Sequence, residues 1–95
     1  MGRRAEKVFT EPQQIERIER LVTELPSQAR VRITMCNGDV VSGTVTERPA
    51  LQLYEDITGA EGVNAELRLD DPAVAASIYL WLGDIERVDA LTRQN

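Results

Sequence analysis

The chain has 95 residues, a formal net charge of −5, 42% apolar and 28% charged residues, one cysteine and no histidine. That length supports one domain with one small core, in an ordinary globular composition, and no stretch approaches the ~18 consecutive apolar residues of a helical membrane span. A lone cysteine excludes an internal disulfide, and the lack of histidine excludes Ser-His catalysis and imidazole metal sites.

Charge is unevenly placed. Residues 1–30 hold six Arg/Lys and five acids, whereas residues 31–95 hold five Arg and eleven acids. The longer part therefore repels phosphate backbones over most of its surface, and nucleic-acid contact falls to Arg3, Arg4, Arg17, Arg20 and Arg30 or to a local pocket. The first arginines are not followed by the apolar run of a secretory signal, so the expected location is the cytoplasm.

In chain order, residues 1–9 are polar and uncapped and read as a flexible arm. A helix is predicted over 10–25. Thr10 and Gln13 match a capping box, and Pro12 is tolerated in the first turn. Ile15, Ile18, Val22 and Leu25 form one apolar stripe, and Pro26 ends the helix. Its apolar face is expected to lie over a sheet, the rest of the β-domain spanning 30–91.

Val31, Ile33 and Met35 alternate with polar residues before Asn37-Gly38, and Val41, Gly43 and Val45 alternate after it, the pattern of a β-hairpin with one buried face. An even loop would split these residues between two faces. An odd loop, such as Asn37-Gly38-Asp39 with Met35 opposite Val41, unites them, so burial favours the odd loop. Gly43 in mid-strand points to a bend or a close backbone approach.

Pro49 argues for a strand edge or bulge, after which Leu51 and Leu53 are expected to face inward and Gln52 and Tyr54 outward. Glu55–Gly62 reads as a loop. Val63, Ala65, Leu67 and Leu69 predict one strand, and Asp71-Pro72 the start of a brief helical connection through Ala76. Ile78-Tyr79-Leu80-Trp81-Leu82 is apolar on both faces. After Gly83-Asp84, residues 84–91 are either a 3₁₀ turn leading into a final strand or a helix: Ile85, Val88 and Leu91 have helical spacing, but a strand-turn precedes them.

The run Val31, Ile33, Met35, Asn37, Gly38, Val41, Gly43, Val45 resembles the first motif of the Sm-like fold, and Ile78–Leu82, Gly83, Ile85 and Val88 resemble the second. The whole chain looks like a small xanthomonad-type bacterial family of unknown function with a variant Sm-like fold. The resemblance implies a mainly β, Sm-like/SH3-like small bent antiparallel barrel behind an N-terminal helix. Sm-type RNA pockets use an Asp and an Asn after the second strand and a basic-Gly pair later. Here the first stretch is ERPALQLYED, without Asn, and Leu82-Gly83 stands in place of the basic pair, so those groups have no counterpart.

In Sm-like rings the strand matching Ile78–Leu82 continues the sheet into the next subunit, and an uncovered apolar strand is a template for another chain. Ile78, Tyr79, Leu80, Trp81 and Leu82 are therefore the expected self-association interface, a dimer being favoured over a ring. The leading expectation is a non-catalytic adaptor or scaffold. The runner-up is single-stranded RNA binding, with Arg17, Arg20, Tyr54, Tyr79 and Trp81 as contacts. A third reading, from likeness of Leu82–Leu91 to the SH3-like end domain of ribosome-maturation factors, is docking on a ribosomal protein. Asp70-Asp71 is a cap rather than a metal pair, and Cys36 has no base to activate it. No enzyme activity, cofactor, metal or membrane association is expected.

Overall fold

The computed structural model describes residues 3–91 apart from 72 and 74. The elements are β1 (Arg3–Arg4), α1 (Pro12–Thr23), β2 (Arg30–Met35), β3 (Val40–Val45), β4 (Gln52–Glu55), β5 (Glu61–Asn64), β6 (Glu66–Asp71), β7 (Ala76–Trp81), a 3₁₀ turn (Leu82–Asp84) and β8 (Ile85–Ala90). They build a five-stranded sheet, β7-β6-β3-β2-β8, and a three-stranded sheet, β1-β4-β5. The fold is thus mainly β behind one helix, as expected, but the sheets do not close into a barrel. Closure needs the outermost strands to meet, and β7 and β8 stay at opposite margins of the large sheet.

The reason lies at Ala65. The predicted single strand over residues 63–69 is broken there: β5 pairs with β4 in the small sheet, while β6 pairs with β3 and β7 in the large one. Asn64 makes the joint. Its side chain is 1% exposed, accepts the backbone N–H of Ala65 at 2.8 Å and of Gly83 at 3.2 Å, and donates from Nδ2 to the Lys7 carbonyl at 3.0 Å. A residue that alternation assigns to water is instead the polar centre joining three segments.

The hairpin keeps the predicted inward face but in another register. Ile33 pairs with Val41 and Val31 with Gly43, and the Met35 N–H donates to the Asp39 carbonyl at 2.8 Å, so the loop is Cys36-Asn37-Gly38. This is two residues from the predicted pairing, and an even shift preserves the faces. Gly38 takes φ +95°, and the Asn37 side chain accepts the Asp39 N–H at 2.9 Å, which closes the turn. At Gly43 a Cβ would lie 3.0 Å from the Asp70 carbonyl oxygen, the close approach its position implied.

Residues 84–91 resolve into the turn-and-strand alternative. In the β2–β8 ladder Met35 faces Ile85 and Thr34 faces Arg87, which leaves Glu86 as an extra residue, a β-bulge. The bulge explains the helix-like spacing: it turns Ile85 inward while Val88, three residues on, faces inward beside Ile33.

The helix begins later than predicted, with Glu11 at the N-cap and no side-chain capping bond, and Pro12 opens the first turn. Ile18, Leu21 and Leu25 pack with Val31, Ile33, Val45, Leu67, Leu69, Leu82 and Ile85 in one core. Each fully buried aliphatic side chain there contributes about 2 kcal/mol. The segment read as a flexible arm is docked: Arg3 and Arg4 pair in parallel with Tyr54 and Glu55, Ala5 is buried, and Phe9 and Val63 exchange backbone hydrogen bonds. In the next segment Leu51 packs against the core and Gln52 is exposed, as expected, but the following pair is reversed, with Tyr54 5% exposed and Leu53 67% exposed. The loop expected over 55–62 is a β4–β5 hairpin whose tip is held by the Asp56 carboxylate. It accepts from the Thr58 N–H and hydroxyl and the Ala60 N–H, which hold it below the usual carboxylate range. The helical connection after Asp71 falls partly outside the described residues, at 72 and 74. Asp71 accepts the Ala73 N–H at 3.0 Å, and β7 begins at Ala76.

Candidate functional site

Two features stand apart from the core. The first is the margin formed by β7. Ile78 and Leu80 lie opposite Leu69 and Leu67 and pack partly into the core, whereas Ser77, Tyr79 and Trp81 lie opposite Asp70, Arg68 and Glu66 on the other face. Tyr79 is 59% exposed. Among the described residues the strand pairs with β6 on one side alone, and it contains no charged residue, proline or glycine.

The second is a cleft of about 520 Å³ on that same outer face, closed on one side by the small sheet. Four arginines line it: Arg3 and Arg4 from β1, Arg48 from the segment after β3, and Arg68 from β6. Tyr54 and Trp81 form another wall, packed edge to face with ring centroids 5.1 Å apart and planes at 86°. Glu47 and Glu66 also line it, so the guanidinium groups outnumber the carboxylates. Burial pushes the Tyr54 phenol up, the Glu66 carboxylate adds to that, and Arg3 opposes it.

The structure brings Tyr54 and Trp81 of the predicted RNA contacts together, but Arg17, Arg20 and Tyr79 do not line the cleft. The Arg17 guanidinium donates to the carbonyl of Ile85, at the start of the bulge, and lies 3.8 Å from the Cys36 sulfur. Arg20 is exposed on α1. Asp70 accepts the Ser77 hydroxyl at 2.8 Å and lies 3.5 Å from Arg68, so the two adjacent acids serve separate local contacts. Among the described residues no cluster of three or more Cys, Asp and Glu side chains could hold a metal ion, and no helix is long and apolar enough to cross a membrane.

Sequence reasoning missed Arg48, Arg68 and Asn64. The two arginines lie on different elements, and it is the pairing of β3 with β6, continued by the Thr46 N–H donating to the Arg68 carbonyl, that brings them to one cleft. Asn64 carried a usable signal: it is an uncharged amide in a strand whose other outward positions, Glu66 and Arg68, are charged.

Residues 2–91 match the model of a family described as a domain of unknown function, DUF3247. Among curated proteins no sequence matches. Among solved structures, the crystal structure of XC5848 from Xanthomonas campestris, described as adopting a novel variant of the Sm-like motif, superposes with a TM-score of 0.90 at 36% identity. The match covers 97% of this chain and 100% of that one.

Proposed function

The chain belongs to the DUF3247 family, with a variant Sm-like fold, and from that footing we propose that it is a non-catalytic module that associates with a second copy of itself through β7. The observation that carries this reading is the uncharged, one-sided strand Ala76–Trp81 with Tyr79 standing in solvent. A strand with an unpaired row of N–H and C=O groups and no guarding charge is a template for another strand. Pairing β7 with the β7 of a second copy joins two five-stranded sheets about a two-fold axis and closes the assembly at a dimer. A small single core also gains from added burial on association.

The non-catalytic part of the reading is supported by the absence of histidine from the sequence. Such a module serves as an adaptor or scaffold. The RNA reading draws less support, because of its five nominated contacts Tyr54 and Trp81 alone share a groove, and Arg17, Arg20 and Tyr79 lie away from it. Light scattering across a micromolar concentration series tests the proposal. A dimer that Tyr79→Lys converts to monomer is the expected result, and a wild-type monomer at every concentration overturns it.

A further inference from the structure

We propose that the cleft between the small sheet and the outer face of the large sheet binds a small phosphorylated molecule carrying a planar ring, of the mononucleotide class. This goes beyond self-association and does not depend on it.

Four of the eleven basic residues of a chain with net charge −5 converge on this one cleft from three separate segments. Among the described residues Arg3, Arg4 and Arg48 form no ion pair, and Arg68 alone has an acidic partner, Asp70 at 3.5 Å. Gathering guanidinium groups without partners costs electrostatic energy, and an anion between them removes that cost. Arginine presents a planar fork of N–H donors that fits phosphate oxygens two at a time.

A second observation is independent of charge. The Tyr54 side chain is 5% exposed and lines the cleft, yet among the described residues its hydroxyl has no hydrogen-bond partner. Buried hydroxyls are normally partnered, so the unpaired O–H of this lining residue is a spare donor for an oxyanion. The paired rings of Tyr54 and Trp81 give that end an aromatic wall, against which a flat ring can pack. Glu47 and Glu66 supply acceptors for the hydroxyl or amino hydrogens of such a molecule. Inorganic phosphate would leave the rings and carboxylates unused. The volume of about 520 Å³ lies within the range of small-molecule sites, ~300–1,000 Å³.

A polymer fits less well. Beyond Arg68 the surface continues into a second hollow lined by Asp70 and Asp71, which repels a following phosphate.

Trp81 is the only tryptophan, so its emission reports on the cleft directly. The full chain at fixed concentration is titrated with adenosine and uridine monophosphates, with adenosine, with inorganic phosphate, and with a short oligonucleotide lacking terminal phosphate. Amide chemical shifts recorded on the same samples detect binding to which the indole is blind. The expected result is saturable binding of a monophosphate, with adenosine and inorganic phosphate at least about tenfold weaker. Arg4→Ala combined with Arg48→Ala, both at exposed positions, is expected to weaken binding by about tenfold or more while thermal unfolding and oligomeric state stay unchanged. The proposal is overturned if neither probe shows saturation with either monophosphate up to ~5 mM. Adenosine binding as tightly as its monophosphate, the oligonucleotide outcompeting it, or the double variant binding like the wild type overturns it equally.

Discussion

β7 and β8 bound the same sheet, share the 3₁₀ turn that joins them, and differ in almost everything an approaching chain would meet. β7 offers six residues without a charge, whereas β8 has Glu86, Arg87 and Asp89 among its six. The β8 margin is also bent by its bulge, and Arg87 and Asp89 are paired at 3.2 Å. Charges and bulges are the standard devices that keep a margin from accepting another strand. One guarded and one unguarded margin favour like-with-like pairing and a closed pair. Two unguarded margins would permit head-to-tail growth. On the proposed pairing, the chemistry of the margins, more than the fold, selects the assembly.

That contrast can be tested by substitution. The largest effect is expected at the joint between the two margins. Asn64→Leu removes the acceptor of the Gly83 N–H along with the bonds to Lys7 and Ala65, and should lower stability by about 3 kcal/mol in denaturant unfolding. A variant as stable as the wild type would show that Asn64 does not hold the turn. Next, Tyr79→Lys should weaken self-association by about 30-fold in sedimentation experiments, near 2 kcal/mol, because it guards the bare margin without touching the core.

Removing the guards is the converse test. Replacing Glu86, Arg87 and Asp89 together by threonine should produce species larger than a dimer as concentration rises, with monomer stability changed by less than about 1 kcal/mol. A triple variant that stays dimeric would show that the bulge alone suffices. The smallest effect is a pH dependence on the outer face beside β7. The folded state holds the Tyr54 proton more tightly than the unfolded chain does, so the associated stability is complete below the ordinary phenol value of 10.0 and is lost as pH rises past it. Alkaline unfolding followed by circular dichroism should start later in Tyr54→Phe than in the wild type.

Much of this architecture is legible in the sequence, and what escapes does so for definite reasons. Alternation in Val31–Met35 and Val41–Val45 identifies the buried face, because burial constrains a strand's parity. It does not constrain register beyond parity, and the turn at Asn37-Gly38, in which Gly38 takes the positive φ, settles the remaining shift of two. The spacing of Ile85 and Val88 mimics a helix because one bulged residue adds an odd step to a strand. Ala65 and Asn64 hide the change of sheet, since a strand that breaks and resumes keeps an unbroken hydropathy pattern. The cleft escapes most fully. No local pattern foretells that Arg3, Arg48 and Arg68 share a cleft with Tyr54 and Trp81, because their meeting depends on long-range pairing.

The parallel seating of Arg3 and Arg4 beside β4 has a practical consequence. The two arginines are adjacent and exposed, so a protease that cuts after arginine and gains this segment would leave the helix, the core and the margin strands intact. Such a trimmed product would keep its core while missing β1 and, with it, half the cations of its cleft. Mass measurement of each preparation therefore decides whether a failed binding assay speaks about the protein or about its missing first residues.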